Sequence, residues 1–148
     1  MKIPVAVITC GLILAGAAHG AEQKSGGLEA ELREVVLRNL EATENEDLEK
    51  LKGTIHTASP ARLTSVQATK RMLAYFDFDY ELLYFSYVGS DGKYALARGR
   101  QKTVKTAGPA FQDNVLDSIY VFRREEGEWK LWMQSVLERE LVKKEPAE

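Results

Sequence analysis

The chain has 148 residues, with 20 basic and 22 acidic side chains, 45% hydrophobic residues and a single cysteine. That length suits one domain and is too short for two ordinary ones. The near balance of charge excludes a strongly basic binder of nucleic acid or anionic membranes, and one cysteine excludes an internal disulfide.

Met1-Lys2 gives a minimal charged start, and Ile3 to Ala18 is apolar or small without any charge. Ala18-His19-Gly20 then supplies small residues ahead of a cleavage before Ala21. The apolar run is too short and too rich in alanine and glycine for a membrane span. Residues 1–20 therefore read as a signal peptide, and the protein as exported, periplasmic or secreted. Cleavage would remove Lys2, Cys10 and His19, leaving 19 basic against 22 acidic side chains and no thiol. His56 would then be the only histidine. That leaves no cluster of metal ligands, and no motif in the chain implies a cofactor.

Residues 21–27 are polar with Gly26-Gly27 and read as a flexible leader; the domain proper spans residues 28–142. Leu28, Leu32, Val35, Val36 and Leu40 recur at helical spacing, with Glu29, Glu31, Arg33, Glu34 and Arg38 on the opposite face. The pattern breaks at Thr43-Glu44-Asn45-Glu46, where Thr43 and Glu46 fit a capping box that starts a second helix. Its apolar face is Leu48, Leu51 and Ile55. A third helix begins either at Ser59-Pro60 or at Thr64 with Gln67, carries Val66, Met72, Leu73 and Phe76, and ends near Asp77.

After Asp79 the period changes to that of strands. Tyr80 to Val88, Tyr94 to Thr106, Val115 to Arg124 and Trp129 to about Leu137 are separated by turn signals at Asp91-Gly92, Gly108-Pro109 and Glu126-Gly127. Asp77 and Asp79 are expected to flank a turn. Residues 143–148 form a charged tail, expected to be disordered. The predicted class is α+β: three N-terminal helices packed on a strongly curved, four-stranded antiparallel sheet with a cone-shaped interior.

Ala95, Ala97 and Gly99 alternate with Leu96, Arg98, Arg100 and Lys102, so one face of the second strand is small and the other mostly basic. The small face belongs toward the helices. A two-residue turn at Asp91-Gly92 would set Tyr84 opposite Gly99, Phe85 opposite Arg98 and Glu81 opposite Lys102. Asp117 is expected to pair with a neighbouring Arg or Lys on the outer face. The first and fourth strands are apolar on both faces, which predicts a homodimer through the outer face of the sheet.

The link Asn45-Glu46-Asp47, the strand Tyr94-Ala95-Leu96-Ala97-Arg98-Gly99-Arg100 and the closing hairpin Phe122 to Leu131, with Gly127-Glu128-Trp129-Lys130-Leu131, occur in the order found in the nuclear transport factor 2-like superfamily. The chain resembles that superfamily, which has a cystatin-like roll and includes ketosteroid isomerase-like and polyketide cyclase-like members, over nearly all of residues 28–136. It departs from it by passing from His56 through Ser59-Pro60 into the third helix without the usual extra strand or hairpin. The resemblance implies isomerases, dehydratases, ligand binders and oligomerisation modules alike, so fold alone does not select a function. The isomerases use a carboxylate base and an oxyanion site built on a tyrosine. Here the tyrosine's position falls near Asn39, and the segment for the base is largely absent.

No catalytic residue is assigned. The leading expectation is an exported, non-catalytic domain that binds a small apolar or anionic molecule or a peptide, or that acts as a dimeric interaction module. Its pocket would be formed by His56, Tyr80, Tyr84, Gln101, Tyr120 and Met133. One alternative is an isomerase- or dehydratase-like enzyme using His56 or a pocket tyrosine; a second is a purely structural accessory domain. Neither a nucleic-acid partner nor a membrane span after cleavage is expected.

Overall fold

A computed structural model describes residues 17–143, with side chains from residue 26 onward. Most of the expected signal peptide and the tail beyond Lys143 lie outside the described residues. No described helix is long and apolar enough to cross a membrane.

Helix α1 (Ala17–Glu44) is longer than its amphipathic stripe. Residues 21–27 are therefore helical rather than a separate leader. Once a helix is nucleated, adding a residue is cheap, and the stripe from Leu28 carries the turns before it. Leu32, Val35, Val36 and Leu40 are buried against the sheet. The helix ends with Glu46 at φ 57°. Its N–H donates to Thr43 O, and that of Asp47 donates to Ala42 O, the paired bonds of a left-handed helix stop.

The next helix, α2 (Leu48–Thr54), is capped by Asp47, whose carboxylate accepts from Lys50 N at 3.0 Å. That bond holds the Asp47 carboxyl below its ordinary pKa. The expected capping box at Thr43 is not formed. Thr43 is buried within α1 and its hydroxyl donates to Asn39 O at 2.8 Å. Helix α3 (Arg62–Leu73) starts two residues beyond Ser59-Pro60, which form the turn before it. No residue of α3 is buried. The amphipathic pattern locates this helix but does not press it into the core.

Strands β1 (Asp77–Ser90), β2 (Tyr94–Ala107), β3 (Asn114–Glu125) and β4 (Glu128–Leu141) form an antiparallel meander in that order. Asp77 and Asp79 belong to β1 rather than to a turn. The small face of β2 does turn inward. Ala95, Ala97 and Gly99 are buried, beside Phe122, Tyr120 and Ser118 of β3. A Cβ on Gly99 would lie 2.9 Å from Tyr120 Cε2 and 3.2 Å from Tyr84 O, so only glycine leaves room for that ring.

The pairing of β1 differs from expectation. Asp91 N donates to Tyr94 O, so the two turn residues are Gly92-Lys93. Two irregularities in β1, at Leu83 and Val88, then shift the register back, until Glu81 lies opposite Lys102 as expected. Between them Tyr84 lies opposite Arg100 and Phe85 opposite Gly99. A one-residue slip exchanges faces. Phe85 therefore packs on the core, and Tyr84 looks outward.

The core lies between α1, α2 and the inner face of the sheet, centred on Leu32, Val36, Tyr120, Phe122, Trp129 and Leu131. In place of an extra edge strand, a single parallel bridge joins Ile55 to Leu131, and His56 N donates to Leu131 O. This covers the start of β4. From Met133 to Leu141 every β4 residue is exposed.

Candidate functional site

Because α3 stands off the sheet, a groove remains between it, α1 and the inner face of β4. The groove has two confluent lobes. The first, ≈ 410 Å³, is bounded by Leu51, Ile55, Leu131, Trp132 and Met133, with Ser59, Ser65 and Ala68 above. The second, ≈ 480 Å³, is bounded by Phe78, Tyr80, Gln101, Thr103, Phe111, Asn114 and Arg139. They share Asn39, Thr43, Thr69, Leu116, Gln134 and Val136. Each lobe falls in the size range of small-molecule sites, about 300–1,000 Å³.

Several polar groups in the groove are held in place. Asn39 Nδ2 donates to Thr54 Oγ1 at 2.7 Å, tying α1 to α2. Gln134 Nε2 donates to Ser118 Oγ at 3.2 Å and reaches Tyr120 Oη at 3.5 Å. Gln101 is only 8% exposed and makes one long contact, 3.4 Å to Thr103 Oγ1. Burial pushes the Tyr80 phenol up to about 12, with Glu44 adding to it, and burial alone does the same for Tyr120. Both remain neutral hydroxyl donors at ordinary pH. Among the described residues lining the groove there is no Asp, Glu, His or Cys, and Arg139 is the one charged side chain.

The six residues expected to form a pocket separate into groups. Tyr80 and Gln101 line the second lobe, and Met133 lines the first. Tyr120 is 1% exposed and belongs to the core beneath the groove, because β2 is too small at Ala97 and Gly99 to keep its ring away. Tyr84 is 50% exposed on the outer face, turned there by the β1 irregularities.

His56 lies behind the groove wall. It is buried, its Nδ1 accepts from Ala58 N at 3.0 Å, and its ring meets Trp132 edge-on at 5.0 Å. Glu125 Oε1 is 3.6 Å from Nδ1 and accepts from both the N–H and the hydroxyl of Thr57. These bonds hold the Glu125 carboxyl below its ordinary pKa. The cluster fastens the 55–59 segment to the β3–β4 hairpin.

Asn39 and Thr43 line both lobes without being among the six expected pocket residues, although the sequence carries their signal. They continue the stripe of Leu32, Val36 and Leu40 as polar residues on an otherwise apolar face. Gln134 and Arg139 had no comparable mark, because only the open end of the cone makes their positions part of a site.

On the outer face a depression of ≈ 470 Å³ contains Tyr84, Arg98, Arg100, Asp117, Glu138 and Glu140. Four of its five charged side chains form two ion pairs. Arg98 Nε and Nη2 donate to both Asp117 oxygens at 2.9 and 2.6 Å, and Arg100 Nη2 donates to Glu140 at 2.9 Å. Asp117 thus has the expected basic partner, and the basic face of β2 is a paired one. Among the described residues no group of three His, Cys, Asp or Glu side chains could hold a metal ion.

A family model described as "Anti-sigma-I factor RsgI9, C-terminal domain" matches residues 34–142. No curated protein matches the chain. Among solved structures, a conserved protein from Planctomyces limnophilus is similar at 21% identity and TM-score 0.62, over 79% of this chain and 99% of that one. A nuclear transport factor 2-like protein of unknown function from Pseudomonas putida gives 15% and 0.61, over 74% and 85%. The beta subunit of the benzoate 1,2-dioxygenase from Burkholderia mallei gives 10% and 0.61, over 72% and 87%. The fold is the nuclear transport factor 2-like cone, shared by enzyme subunits and by proteins of unknown function.

Proposed function

Because the chain belongs to the family of anti-sigma-I factor RsgI9 C-terminal domains, we propose that it is an exported, non-catalytic binding domain whose ligand occupies the groove beneath α3. The observation that carries this reading is the composition of the groove: amides, hydroxyls, apolar walls and one guanidinium, with no described carboxylic acid, histidine or thiol to move a proton or attack a substrate. Such a lining orients a ligand and excludes water. A family named for the C-terminal part of an anti-sigma factor agrees with a domain that detects something rather than converts it. The apolar run and small-residue cleavage site of residues 1–20 support export.

The enzyme alternative loses support at His56, whose Nδ1 already accepts a backbone N–H and which does not line the groove. The outer face favours a second copy as partner. Leu96 and Val121 lie side by side across β2 and β3 as an apolar row, with Ile119 beside them. A two-fold pair of sheets would cover this row.

The groove is tested by thermal denaturation against a panel of apolar acids, alcohols, sterols and short peptides, with Ala68→Trp as the blocked variant. Ala68 faces the groove from an exposed helix, so the indole fills the first lobe without disturbing the core. At least one probe class should raise the Tm of the native chain and leave the variant unmoved. A flat response across the panel, or equal shifts in both proteins, overturns the groove reading and leaves a structural module.

A further inference from the structure

The groove mixes apolar walls with hydroxyls and amides along its length, and the one charge among its described lining lies in the second lobe. The first lobe ends on Leu51, Ile55 and Leu131, the second on Arg139, Asn114 and Gln101. Among the described residues, Arg139 makes no ion pair or side-chain hydrogen bond. Its neighbours in β4 do not neutralise it, because alternation along the strand turns them to the other face. There Glu138 and Glu140 line the outer depression, and Glu140 holds Arg100. Gln101 is nine-tenths buried, and among the described residues its side chain makes only the long hydrogen bond to Thr103. The end of the groove therefore presents one guanidinium and an under-used amide, with no carboxylate among its described lining to oppose an anion.

Resting on the groove reading, we propose that the ligand is a small aliphatic monocarboxylic acid, its carboxylate on Arg139 and its chain lying past Gln134 toward Leu51, Ile55 and Leu131. A guanidinium receives a carboxylate through two parallel N–H···O bonds, a match in shape as well as charge. A single cation suits a monoanion, whereas a phosphate dianion would bring a second charge with no partner in the lining. A cationic head would meet Arg139 with like charge. Leu116 and Val136, shared by both lobes, give the chain a continuous apolar floor between the two ends.

The test is calorimetry of the full chain with octanoate, octanol and octylamine below their aggregation limits, using Arg139→Gln and, as a control away from the groove, Arg124→Gln. Octanoate should bind about tenfold or more tightly than octanol. That advantage should vanish in Arg139→Gln, persist in Arg124→Gln and shrink with added salt. Equal binding of octanoate and octanol overturns the carboxylate assignment and leaves the groove reading intact. Octanoate binding that survives Arg139→Gln overturns it too, by placing the head elsewhere. If octanoate fails while a short peptide acid binds in an Arg139-dependent way, the aliphatic ligand is wrong. If octanoate fails and the whole thermal panel is flat, the groove reading falls as well.

Discussion

Asp117 carries a pH-dependent share of the stability. Two charge-assisted bonds from Arg98 stabilise its carboxylate and hold its pKa below the ordinary 3.8. A depressed carboxylate contributes stability that is complete above its unfolded pKa and is lost as pH falls through the folded value. Asp117→Asn should therefore lower the Tm at neutral pH, and the gap from the native chain should close as pH drops below about 3.9. Thermal melts at a series of pH values read this directly, and a gap that stays constant down to strong acid would remove the ion pair as its cause. This pairing was legible in the sequence, since an acid within an apolar strand beside a basic one needs a partner. The surroundings of His56 were not legible. Its partners Ala58 and Glu125 come together only when the segment after α2 docks on β4, a contact that no local pattern encodes.

At the level of elements, periodicity located the seven helices and strands of the described residues but did not rank their burial. The α1 stripe is core, as its spacing implies, whereas α3 carries Leu63 at 70% exposure and touches the core only through the half-buried Val66. Leu32→Ala should cost roughly 2–5 kcal/mol, while Leu63→Ala on α3 should stay within about 0.5 kcal/mol of the native chain. Urea denaturation of the two variants gives the comparison, and similar losses would show that α3 is part of the cooperative core. The strands teach the same lesson about register. Alternation in β2 identified its small inner face correctly, because Ala95, Ala97 and Gly99 follow a strict period of two. Pairing from the turn outward failed at Tyr84 because the turn is Gly92-Lys93 and because β1 then absorbs two extra residues. The irregularity at Leu83 has no glycine or proline to announce it, and the one at Val88 is marked only by the adjacent Gly89.

On the scale of the whole molecule, the sheet has an apolar row outside and an open groove inside, so partner and ligand would use opposite faces. In the proposed two-fold pair Leu96 approaches its own copy. Leu96→Glu would then place like charges in one interface and should give a monomer by light scattering, with an unchanged circular dichroism spectrum. A native chain that is already monomeric at micromolar concentration would remove the dimer reading. The cone itself was legible from the order of its elements, and its open end was not, because that depends on how far α3 stands from the sheet. The detachment of α3 also bears on time. A helix tied through Ser59 to Trp132 O, through the turn at Phe76 and, between them, by the half-buried Val66 can lift by local opening while the rest stays folded. Its amide protons should then exchange with solvent well before those of α1, and the frequency of that lifting would set how fast a ligand enters and leaves.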